Sequence, residues 1–189
     1  MFSNTSNIQG TASCQEDYRT FEINRYAQAI SWSQDVLESY LNDLCEAKKN
    51  KRNLMAEKYA RMMQTTAPRE YEKIAHLFPP LDPELQLLVE KITAIFLDWE
   101  IHLRAKYVNL ANRSRPLYSS SDNSYTTSLE TYLRGELTTY SLKTLKLYYS
   151  YAVRLNADNL NGAELILENM LKCYGFKSLQ EAEAKLREA

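Results

Sequence analysis

Asp82-Pro83-Glu84-Leu85 opens the stretch on which the fold turns. Aspartate is a strong N-cap, proline fits the first helical position, and the glutamate after it meets the positive end of the helix dipole. Downstream, Leu85, Leu88, Ile92, Phe96, Trp99 and Leu103 recur at three- and four-residue spacing. That near-heptad stripe predicts a long helix needing a partner helix to bury it.

Helical signals extend outward on both sides. Ser33 is a candidate N-cap for a stripe of Val36, Leu37, Tyr40, Leu41 and Leu44, which the basic run Lys48-Lys49-Asn50-Lys51-Arg52 ends. Met55, Tyr59 and Met62 resume the pattern. Pro68 then opens another helix, and Pro79-Pro80 marks a firm break. Towards the C-terminus, Thr127-Ser128-Leu129-Glu130 reads as a capping box that starts the longest helix, with Leu129, Leu133, Leu137, Tyr140 and Leu147 along it. Asn161 caps a helix bearing Ile166, Leu167, Met170, Leu171 and Tyr174, and Gly175 is placed as its left-handed terminator. A second capping box, Ser178-Leu179-Gln180-Glu181, begins a short charged helix. Strand-like alternation and internal repeats are absent. The chain therefore reads as one all-α domain over residues 1–189, an irregular bundle of about seven or eight helices. A polar, serine-rich loop at 108–126 interrupts it, long enough to suggest a function of its own.

Composition narrows the function. Four glycines and five prolines in 189 residues are too few for a turn-rich β-protein or a glycine-rich nucleotide loop. A net charge of −1 argues against a dedicated nucleic-acid binder. No run reaches the roughly 18 to 20 apolar residues needed to cross a bilayer. Residues 1–7 lack the basic and apolar regions of a secretory signal, and Cys14, Cys45 and Cys173 form neither a disulfide framework nor a zinc motif. The expectation is a cytoplasmic protein that engages neither membrane nor nucleic acid.

Three constellations are candidates for chemistry. His102 shares a helix face with Asp98, but no Glu-x-x-His pair accompanies it, so a solvated surface pair is expected and no metal or cofactor follows. Cys14 would be activated if it sat at a helix N-terminus. The third constellation is the most informative. Tyr132, Glu136 and Tyr140 are spaced i, i+4, i+8, Glu130 and Arg134 pair beside them, and Gly135 marks a place where another backbone or a ligand comes close. Two tyrosine hydroxyls flanking a carboxylate can bind or protonate a small polar molecule, with Glu136 as acid or base if burial raises its pKa. The same residues can equally form a paired, buried network that fixes helix packing. Arg113 and Arg115 precede this helix across the polar loop, and guanidinium forks suit carboxylates and phosphates.

Four segments carry a resemblance: Gly10-Thr11-Ala12-Ser13-Cys14-Gln15, Glu57-Lys58-Tyr59-Ala60-Arg61-Met62-Met63, the motif from Thr127 through Leu137, and Tyr174-Gly175-Phe176-Lys177-Ser178-Leu179. In order and over nearly the whole length, they are similar to the bacterial domain-of-unknown-function family 4125. The resemblance implies a helical fold and no defined activity. In the family pattern a Trp-Glu-containing stretch precedes the position of Met1 and an arginine stands where this chain has Thr11, which implies a first helix shorter than in other members.

Two functions remain open. One is a small enzyme or ligand-binding protein for a carboxylate- or phosphate-bearing molecule. Glu136, Tyr132 and Glu130 would carry its chemistry, and Arg134, Tyr140, Arg115, Tyr59, Arg61 and Cys14 would bind. The other is a protein-interaction module, self-associating or partner-binding, in which the polar network is structural. The run Tyr148-Tyr149-Ser150-Tyr151 wraps most of a helix circumference and suits such an interface.

Overall fold

The computed structural model describes residues 17–78 and 80–188 together with the backbone of 6–7 and 10–11. Ten α-helices are present among them: α1 (Tyr18–Ala29), α2 (Gln34–Lys49), α3 (Leu54–Thr66), α4 (Pro68–Ile74), α5 (Pro83–Lys106), α6 (Val108–Ala111), α7 (Leu129–Leu137), α8 (Leu142–Ala157), α9 (Gly162–Cys173) and α10 (Leu179–Glu188). The one extended pairing among the described residues joins Ser6–Asn7 to Gly10–Thr11, antiparallel. The all-α expectation holds, with more helices than expected.

Helix α5 is the central rod. Asp82 caps it, its carboxylate accepting from the N–H groups of Glu84 and Leu85 at 2.7 and 3.3 Å. Leu88, Ile92, Phe96, Trp99 and Leu103 are buried as the stripe requires. Helix α8 is the partner, presenting Leu145, Tyr148, Ala152 and Leu155 to the same core. Helices α2 and α9 flank this pair, and α1 lies on α9. Each fully buried large apolar side chain contributes roughly 1.5–3 kcal/mol, so this seam dominates the hydrophobic stabilisation.

Two readings need correction. The segment from Thr127 to Leu147 is two helices, and α5, at 24 residues, is the longest. Thr138 and Thr139 turn their hydroxyls back onto the carbonyls of Gly135 and Glu136 (2.8 and 2.7 Å), and the hydroxyl of Ser141 accepts from the N–H of Thr144 to start α8. Local hydroxyl bonds thus offer the backbone an alternative to continuing the helix. On α2 the inner positions belong to Val36, Ser39 and Ala47, whereas Leu41 and Leu44 are exposed. Ser39 earns its buried position by a 2.8 Å hydrogen bond to Thr144 on α8.

The C-terminal signals hold. Asn161 accepts from the N–H of Glu164 (3.0 Å), and Gly175 has φ +87° while the N–H of Phe176 reaches back to the carbonyl of Leu171 (3.1 Å). That is the left-handed helix stop for which glycine suits best. The hydroxyl of Ser178 accepts from the N–H of Glu181, whose own carboxylate accepts from the N–H of Lys177. Among the described residues no helix is long and apolar enough to cross a membrane.

Candidate functional site

Helix α7 is the site's scaffold, and the polar loop is what starts it. Ser128 is the N-cap, its hydroxyl accepting from the N–H of Thr131. Glu130 does not complete a capping box. It accepts from the N–H of Ser119 across the loop (2.6 Å) and from Arg134 (2.6 Å). Asp122 accepts from the N–H of Ser128 (2.6 Å) and from the hydroxyl of Thr131, while the N–H groups of Leu129 and Glu130 bond to the carbonyls of Pro116 and Leu117. The loop is therefore an ordered cap on the positive end of α7. Asp122 of the loop and Glu130 in the helix's first turn sit where that dipole favours acidic side chains.

Tyr132 and Glu136 share one face of α7, Tyr140 follows in the turn beyond the helix's end, and Glu136 is the hub. Its carboxylate receives a forked pair from Arg25 of α1, one arm at 3.1 Å, and a 2.6 Å bond from Lys58 of α3. The Tyr140 hydroxyl adds a bond of 2.9 Å. Lys58 is only 2% exposed, and its ammonium also lies 3.3 Å from the centre of the Tyr132 ring. Arg115 covers the same ring at 5.1 Å. Tyr140 in turn packs against Tyr40 and Trp32 in the aromatic core.

This geometry sets the protonation of Glu136 opposite to what an acid would need. Burial pushes its pKa upward, but the charges of Lys58 and Arg25 and their hydrogen bonds outweigh it, so the carboxyl is held well below the ordinary range. Burial and the adjacent carboxylate push the Tyr140 hydroxyl up, which keeps it a donor. Glu136 thus carries no proton to give at neutral pH. It joins α1, α3 and α7 at one buried point.

Arg134 belongs to a second group. It grips Glu90 of α5 with Nε and Nη2 (2.9 and 2.7 Å) and Glu130 with Nη1 (2.6 Å). Together with Arg61 and Thr65 of α3, Thr131 of α7 and Thr138 at its C-cap, Arg134 and Glu90 line a cleft of about 270 Å³ between α3, α5 and α7. Gly135 lies in its wall. A Cβ there would meet Met62 Cγ at 2.6 Å and the Lys58 carbonyl at 3.0 Å, so the close approach is that of α3 itself. Arg61 donates to the Tyr71 hydroxyl (3.1 Å) and stacks over Phe78, which orients its fork.

The remaining candidates scatter. Tyr59 is half-buried on α3 outside the cleft lining, Arg115 stands exposed on the outer face of Tyr132, and Cys14 lies outside the described residues. His102 and Asp98 are an exposed pair, and among the described residues no group of three His, Cys, Asp or Glu is placed to hold a metal. Sequence reading missed Arg25, Lys58 and Glu90. Lys58 had a signal: it sits between Leu54 and Met62 at i, i+4, i+8, a charge in a buried stripe. Arg25 and Glu90 had none, since only the fold brings α1 and α5 to α7.

The fold and site define an all-α bundle in which one short helix, locked by a buried ion cluster on one face, walls a charged cleft on another. The family model described as Protein of unknown function (DUF4125) matches residues 1–184, and the chain belongs to that family. No curated protein and no solved structure matches it.

Proposed function

We propose that the protein binds a small polar molecule bearing a carboxylate or phosphate in the cleft between α3, α5 and α7, with Arg61 as the gripping residue. One observation carries this reading: Arg61 opens onto the same cleft as hydroxyl-bearing residues of two helices and the Arg134–Glu90 pair. Guanidinium geometry matches carboxylate and phosphate oxygens bidentately. A cleft of about 270 Å³ lies at the small end for ligand sites, which points to a metabolite rather than a nucleotide or a peptide. Glu136, Lys58 and Arg25 hold the wall from behind, and Tyr132, Tyr140 and Arg115 complete that support.

Thermal unfolding against a panel of small carboxylates and phosphates tests the reading. A ligand at 100 times its Kd adds about 2.7 kcal/mol, a rise of roughly 5 to 10 °C for a domain of this size. Arg61→Ala should abolish the rise and Arg61→Lys should retain part of it, because lysine keeps the charge and loses the fork. A flat panel would favour the interaction module instead.

A further inference from the structure

We infer that the ligand of this cleft carries an amine as well as its anion: a small zwitterion, its ammonium held at Glu90 and its carboxylate or phosphate at Arg61. The inference rests on the cleft being the ligand site and adds the class of molecule. Three observations support it.

The first is charge. Arg134 is already held between two carboxylates, Glu90 and Glu130. Behind Thr131 stands a third, Asp122. Burial raises its pKa, but hydrogen bonds from Thr131, Ser128 and Thr65 outweigh that and keep it ionised. Three carboxylates and two guanidiniums therefore surround or line the space, so a bare anion gains less here than two arginines alone would suggest.

The second is the direction of the hydroxyls. Thr138 donates to the carbonyl of Gly135 (2.8 Å), Thr131 donates to Asp122, and Thr65 has both the Met62 carbonyl and Thr131 Oγ1 within 3.2 Å as acceptors. A hydroxyl has one proton. With that proton spent inside the protein, each threonine oxygen offers the cleft only lone pairs, and lone pairs suit an ammonium rather than an anion.

The third is the exposure of Glu90. Its side chain is 56% exposed while it lines the cleft, so it can accept from a ligand without a large desolvation penalty. Arg61 of α3, on a different helix from Glu90 of α5, supplies the complementary charge. A cleft lined by cationic Arg61 on one helix and anionic Glu90 on another, together with threonine lone pairs, selects a molecule with both charges.

Titration calorimetry with matched probes decides it. L-alanine, propionate and ethylamine share a small skeleton and differ in which charges they carry; phosphoethanolamine and ethyl phosphate repeat the comparison for a phosphate. A charge-assisted hydrogen bond is strong enough to shift affinity about tenfold. The expected result is that L-alanine or phosphoethanolamine binds at least about tenfold more tightly than its amine-free counterpart, and than ethylamine. Glu90→Gln should reverse the order by removing the ammonium's partner and releasing Arg134 to the anion. Equal affinity for propionate and L-alanine, or for ethyl phosphate and phosphoethanolamine, would overturn the zwitterion while leaving the cleft as an anion site. Ethylamine binding as tightly as the zwitterions would overturn the role given to Arg61. No heat from any probe, with wild type and Glu90→Gln alike, would overturn the cleft reading itself.

Discussion

Replacing Lys58 by methionine removes a buried ammonium while keeping a side chain of similar length. In the native protein that ammonium bonds Glu136 at 2.6 Å and sits 3.3 Å from the Tyr132 ring centre. Breaking a buried pair by deleting one partner costs about 3–5 kcal/mol, because the other charge is left uncompensated. Here Arg25 still holds Glu136 with two N–H groups, and methionine regains apolar contact with Tyr132. The expected loss is therefore near the lower bound, about 3 kcal/mol, a large part of the roughly 5–15 kcal/mol by which domains are stable. Glu136→Gln removes the opposite charge and strands two cations, so it should cost at least as much. The double variant Lys58→Met/Glu136→Gln leaves neither member of that pair stranded, only Arg25 without its carboxylate, so the two losses should not add; a coupling of about 1–3 kcal/mol is expected. Urea unfolding followed by the fluorescence of Trp32 and Trp99 measures all three. With a slope of about 1–3 kcal/mol per molar, Lys58→Met should lower the midpoint by about 1 M or more. A Lys58→Met protein within about 0.5 kcal/mol of wild type, or strict additivity in the double variant, would refute the assignment of Glu136 as the bundle's electrostatic lock.

Acid should unfold the protein in a defined window. Glu136, Glu130 and Asp122 all have folded pKa values below their ordinary 4.5, 4.5 and 3.8, so their stabilisation is complete above those values and lost as pH falls beneath them. Melting temperature should be nearly level from neutrality to about pH 4.5 and drop steeply below it; Glu136→Gln should start lower and show a shallower drop, and a protein that gains stability on acidification would contradict the pairing. Gly135→Ala should lose about 1–3 kcal/mol through the clash with Met62 and the Lys58 carbonyl, despite alanine's advantage of about 1 kcal/mol in helix propensity; a raised midpoint would show that α3 and α7 are not in contact there. Asp122→Ala frees the N–H of Ser128 and the hydroxyl of Thr131, so limited proteolysis should cut between residues 112 and 127 faster than in wild type, with no change in cutting elsewhere.

The central seam was readable because its code is local. The cap at Asp82 and the spacing from Leu88 to Leu103 specify a helix and its buried side without reference to anything distant. The Thr127–Leu147 segment reads as one helix because the apolar stripe continues across Thr138, Thr139 and Ser141, while the break is made by hydroxyls choosing backbone carbonyls, a competition that hydrophobic spacing does not record. The common face of Tyr132 and Glu136 is legible in their spacing, whereas the placement of Tyr140 in the turn beyond α7 and the sign of the Glu136 pKa shift are not. It depends on Arg25 and Lys58, which lie 111 and 78 residues away in the chain. Similarly, Glu130 and Arg134 pair as their spacing predicts, yet their placement at a cleft depends on Glu90 arriving from α5.

The proposed ligand site is the cleft of α3, α5 and α7. Amide chemical-shift mapping of isotope-labelled protein titrated with L-alanine and with phosphoethanolamine tests it most directly. Binding there should give saturable shifts confined to Arg61, Thr65, Glu90, Thr131, Arg134, Gly135, Thr138 and their neighbours, lost in Arg61→Ala. Shifts centred instead on the shallow groove of Asn109, Asn112, Arg113 and Leu186, or none anywhere, would contradict it.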